Sequence, residues 1–167
     1  FLFPFVLNDY ELTGYFEGGG TGTLGGDIIF TSGILDIYSD SPRNFSTTDS
    51  FYGADDGTKI ATFSLLSGFG TIDPSGVPNG VITVILEATD MAAGYFFDSA
   101  MNDLSLTDPI QWILGFSTTN ASYVDNPTAN VIAEFGVLGN SPPFDLVVSS
   151  NGQYRLAVVP EPSTILL

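Results

Sequence analysis

The chain alternates between apolar and polar residues over short distances, and the alternation has the period of strands. Asp27 to Tyr38 reads DIIFTSGILDIY. This predicts two short β runs around Ser32-Gly33, with Ile34, Asp36 and Tyr38 on one face and Leu35 and Ile37 on the other. Lys59 to Ile72 repeats the pattern, with Ala61, Phe63 and Leu65 opposed to Ile60, Thr62 and Ser64. Val81 to Ala88 is rich in β-branched residues, as a central strand would be. Further runs are expected at Gln111–Phe116, Ala129–Val137, Phe144–Val148 and Gln153–Val158. The last two flank Ser150-Asn151-Gly152, and Asn-Gly between alternating runs predicts a hairpin.

Turn chemistry separates the runs. Gly18-Gly19-Gly20, Gly25-Gly26, Asp55-Asp56-Gly57, Asp73-Pro74-Ser75-Gly76 and Pro78-Asn79-Gly80 are compact breakers. Ser39 to Phe51 is polar, holds Pro42 and reads as a long loop. Only Met91 to Leu106 has helical character, with Asp98 as its candidate N-cap. Many short strands and frequent turns predict one all-β domain, a β-sandwich or jelly roll of mostly antiparallel strands. It would span residues 9–158, between an apolar segment at 1–8 and a tail at 159–167.

Composition narrows the chemistry. The 167 residues include no His and no Cys, with 3 Lys+Arg against 19 Asp+Glu, a formal charge of −16. A Ser-His-Asp triad, a Cys nucleophile, a disulfide and a Cys/His zinc site are therefore excluded. So few cations argue against nucleic acid and against anionic lipid. The hydrophobic share of 44 % opposes disorder despite the charge. Charged residues are only 13 %, so the polar surface rests on Ser, Thr, Asn and Gly, as suits an extracellular β protein. No apolar run reaches the 18 or so residues of a membrane helix.

Catalysis would fall to carboxylates. The five Glu are Glu11, Glu17, Glu87, Glu134 and Glu161, and no spacing among them marks a catalytic pair, so no enzyme is expected. Calcium suits the acidic loops better. Asp55-Asp56 is the densest candidate pair, and Asp98 with Asp103 or Asp108 is another, although ordinary Asp turn chemistry accounts for both. No other cofactor is implied. Trp112 lies in an apolar context that reads as core rather than as a sugar platform. Asn44 and Asn120 sit in N-glycosylation triplets, which are common by chance.

The two ends carry the most specific signals. Phe1-Leu2-Phe3-Pro4-Phe5-Val6-Leu7 is apolar, without the basic flank and small-residue cleavage site of a signal peptide. A mature start left by processing is the expectation. Exposed, such a segment invites aggregation, so this domain or a neighbouring copy must cover it. The residues Phe1, Leu2, Phe3, Phe5, Val6 and Leu7 are candidate assembly residues, and Pro4 suits an edge or bulge.

At the other end, Val159-Pro160-Glu161-Pro162-Ser163-Thr164 runs into Ile165-Leu166-Leu167. This resembles the start of the PEP-CTERM sorting signal, whose membrane segment and basic end do not follow here. The body is similar to flocculation-associated PEP-CTERM proteins at Gly22–Gly26, Ile60–Gly68, Pro78–Gly80, Ala92–Asp98 and Gly115–Ser122. The resemblance implies export in a Gram-negative bacterium and handling by an exosortase, with Pro160, Glu161 and Pro162 as the recognition element. It implies an extracellular or cell-surface protein of biofilm or floc, with no membrane attachment once mature. Together with the apolar segment it suggests a homopolymer, with exopolysaccharide as a further partner. The alternative is a polysaccharide- or calcium-binding extracellular module.

Overall fold

The computed structural model describes residues 10–23, 25–41, 43, 45, 53–75, 77–106, 112–123, 148–149 and 153–158. Its regular elements are β1 (Glu11–Gly22), β2 (Asp27–Asp40), β3 (Thr58–Thr71), β4 (Gly80–Met91), a 3-10 turn (Leu104–Leu106), β5 (Trp112–Tyr123), β6 (Val148–Ser149) and β7 (Gln153–Val158). Every strand pairing is antiparallel. β1 to β5 form a meander, and β6 and β7 both pair with β5. The chain is all-β, as its alternation predicts. The described strands belong to one continuous sheet, and a second layer of a sandwich is not among the described residues.

The hairpin connections follow local chemistry. Gly25 adopts φ 80° between β1 and β2, a conformation that side chains with a Cβ resist. Asp73 organises the β3–β4 connection by accepting from the Ser75 amide and hydroxyl, at 2.8 and 2.6 Å, and from Asn79 Nδ2.

Pairing register sorts the side chains into two faces. Across the sheet Phe16 lies opposite Leu35, Leu35 opposite Phe63, and Phe63 opposite Ala88. Leu86 faces Leu114, which faces Leu156. These residues form one apolar face, and Leu35, Ile60, Ala61, Phe63, Val84, Leu86, Ala88 and Leu114 are buried on it. Phe96 and Leu104, from the segment between β4 and β5, join the same core. The opposite face presents Tyr38, Asp36 and Ile34 of β2 against Lys59, Thr62 and Ser64 of β3.

Three expectations are corrected. Ser32-Gly33 does not divide β2, which runs for 14 residues. Instead the ladder to β3 skips from Phe30↔Gly68 to Ile34↔Ser64. Asn151-Gly152 does not join a hairpin of β6 and β7. Ser122 and Tyr123 pair with β6 while Trp112 to Ser117 pair with β7, so both lie along one edge of β5 and run in the same direction. Met91–Leu106 contains one 3-10 turn in place of a helix. Asp98 caps a tight loop there, accepting from the amides of Ala100 and Asn102 at 2.8 Å each, with Met101 at φ 65°. Such side-chain bonds compete with helix. The runs expected at Ala129–Val137 and, up to Val147, at Phe144–Val148 lie outside the described residues.

Candidate functional site: the seam of the curled sheet

The two outermost elements of the sheet meet across a cavity. If the sheet were flat, β1 and β7 would lie five strand spacings apart, about 24 Å. Instead both line one cavity of ≈ 600 Å³. β1 supplies Leu12, Thr13 and Gly14, and β7 supplies Tyr154, Arg155 and Leu156. Its floor is Leu35, Ile37, Phe63 and Leu114, and Phe96 contributes from the β4–β5 segment. The described strands therefore curl toward one another, as in a barrel. Among the described residues no ladder joins β1 to β7.

Irregular pairing supplies the curl. Register shifts interrupt β1–β2 at Gly19/Gly20, β2–β3 at Ile37/Tyr38, and β3–β4 at Thr62/Phe63 and Leu65/Ser67. A bulge bends its strand and adds right-handed twist. At Gly20 the backbones approach so closely that a Cβ would collide with the carbonyl of Ile29. A larger residue there would push β1 off β2.

The seam is apolar with a polar lip. Tyr154 packs its ring on Phe116 with centroids 4.8 Å apart. Tyr154 is 66 % exposed, and partial desolvation where it lies on Phe116 moves its hydroxyl pKa upward. Thr13 donates to the Ala54 carbonyl at 2.7 Å, pinning the loop that carries Asp55 and Asp56 to β1.

The acidic candidates do not build a cation cage. Among the described residues no three carboxylates converge as metal ligands. Asp55 lies close enough to help raise the pKa of Tyr38, after burial and Asp36. Asp40 Oδ1 accepts from the Ser41 amide, while its Oδ2 is buried with no hydrogen-bond partner. Asp98 and Asp103 spend their oxygens on backbone and neighbouring side chains. Asp103 accepts from the Gly94 amide at 2.7 Å and from the Ser105 hydroxyl at 2.8 Å. Burial pushes its pKa up, but these bonds bring it down overall.

Other candidates also find structural places. Glu87 is exposed on β4 opposite Ser64 and Ile113, with Glu134 outside the described residues. Trp112 packs against the core at the start of β5. Asn120 is part of β5 and its amide oxygen accepts from the Thr118 hydroxyl at 2.7 Å. The assembly candidates Phe1, Leu2, Phe3, Phe5, Val6 and Leu7 and the motif Pro160, Glu161 and Pro162 lie outside the described residues.

The site that sequence reasoning missed is the seam itself. Its residues are scattered along the chain from Leu12 to Leu156, and only the curl makes them neighbours. Searches of protein-family models, curated proteins and solved structures find no match to this chain.

Proposed function

We propose that this chain is a secreted, non-enzymatic structural protein of a bacterial extracellular matrix or surface, and that it self-assembles into filaments. The observation that carries the reading is the open seam. Among the described residues the curled sheet is not closed, and an apolar cavity lies between β1 and β7, where a further strand could add. Addition of a strand from one copy to the next is a heterologous contact, and repeated without closing it yields fibres. The Pro-Glu-Pro motif at 160–162 supports export and exosortase handling, in a biofilm or floc setting. Asp73, Asp98 and Asp103 spend their oxygens on turns and caps.

The test is direct. The purified chain, imaged by negative-stain electron microscopy at rising concentration and salt, is expected to form filaments of uniform width. A chain that stays monomeric by analytical ultracentrifugation throughout that series would overturn the reading.

A further inference from the structure

We infer that Met101 is an oxidant-accepting site: a two-electron oxidant of the peroxide class converts it reversibly to the sulfoxide while the sheet stays folded. This goes beyond the filament reading and does not depend on it.

Three observations converge. The first is access. The chain holds two Met and no Cys, so no thiol competes for the oxidant. The fold treats the two thioethers oppositely. Met91 closes β4 opposite Ala61, belongs to the core and is 6 % exposed. Met101 lies in the tight loop between Phe97 and Asp103, which pair across it, and is 56 % exposed. An oxidant in water reaches the Met101 side chain without any opening of the sheet, whereas Met91 waits on unfolding.

The second is the backbone. Met101 sits at φ 65°, in the left-handed region that a residue with a Cβ resists and that Gly or Asn occupies at least cost. Packing does not account for a Met there either, since more than half of it faces solvent. Backbone and burial therefore leave the thioether itself unexplained, and a strained outlier of this kind points to a use for the side chain.

The third is that the loop holds its shape without the Met101 side chain. Asp98 Oδ1 accepts from the amides of Ala100 and Asn102, and Oδ2 accepts from Asn102 Nδ2, all at 2.8 Å. The Asp98 amide donates to the Asn102 carbonyl at 3.0 Å, and the Met101 amide to the Asp98 carbonyl at 3.1 Å. Oxidation at the Met101 sulfur breaks none of these bonds. The same change at Met91 would place a polar oxygen inside the core.

The step balances with hydrogen peroxide as the oxidant. A sulfur lone pair attacks one peroxide oxygen, and the S–O bond forms as the O–O bond breaks. The released hydroxide takes the proton from the sulfur-bound oxygen and leaves as water. The thioether is oxidised and the peroxide reduced, by two electrons each, and methionine sulfoxide reductases reverse the change.

The test treats the full-length chain with hydrogen peroxide, folded and in denaturing urea, and follows sulfoxide at each Met by peptide mass spectrometry. In the folded chain Met101 should oxidise about tenfold or more faster than Met91, and in urea the two rates should converge. A chain oxidised at Met101 alone should melt with the parent by circular dichroism, and reductases of both stereospecificities should restore its mass. Met101→Leu should remove the fast phase and leave the slow one. Equal rates in the folded chain would overturn the inference, and so would a difference that persists in urea, where the fold no longer acts. A lowered melting temperature on oxidation at Met101, or a sulfoxide that the reductases cannot restore, would overturn it as well.

Discussion

Phe63 is the residue on which most of the core converges. Its side chain is fully buried, and it stands between Leu35 of β2 and Ala88 of β4 on the concave face. It also forms part of the cavity floor. Truncation to Ala would remove ring contacts on three strands beside a space that is already poorly filled. The expected cost is about 3–5 kcal/mol, read from urea unfolding with an unchanged slope. The polar turns act at the same scale. Asp73 and Asp98 have pKa values held below the ordinary 3.8, by bonds from Ser75 and Asn102 respectively. A lowered native pKa means the unfolded chain binds protons first as acid is added. The stabilisation is therefore complete above about pH 4 and is lost as pH falls through the native values. Melting temperatures followed from pH 5 to pH 2 should fall further for the parent than for a chain carrying Asp73→Asn and Asp98→Asn. Equal losses would show that these turns carry no pH-dependent stability.

At the scale of elements, what was legible was what neighbouring residues decide. The alternation of Leu35 and Ile37 against Ile34 and Asp36 assigned faces correctly, because burial on one side of a sheet dictates period two. Asp73 and Gly25 announced their turns through side-chain bonds and positive φ, both local properties. Strand extent was less legible. Ser32-Gly33 reads as a break, yet cross-strand pairing to Gly19 and Gly18 of β1 carries β2 through it. The failure at Asn151-Gly152 has the same root. A turn signal says that the chain bends, but β6 and β7 each found β5, a partner chosen by packing rather than by sequence proximity. The seam was least legible of all. It depends on bulges, which exist only once two strands are in register, and on their summed effect over six strands.

For the whole molecule, the charge of −16 sets the terms on which copies meet. The cations are Arg43, Lys59 and Arg155, and Lys59 lies 3.6 Å from Asp36, an exposed pair of small energetic worth. Copies in any assembly therefore repel one another over roughly a Debye length, about 10 Å at 0.1 M salt and 30 Å at 0.01 M. The convex face works in the opposite sense. Ile29 and Phe69 form a directly opposed cross-strand pair there, 52 % and 58 % exposed, which adds apolar surface that screening would make available. Association should accordingly be weakest at low ionic strength and rise with salt. Calcium at equal ionic strength should promote it further, because a divalent ion neutralises closely placed carboxylates without needing a built site. Light scattering across a salt series, with sodium and calcium arms at matched ionic strength, measures both effects. Scattering that rises with salt but equally in the two arms would assign the effect to screening alone. Scattering unchanged across the whole series would mean that charge does not govern contact between copies.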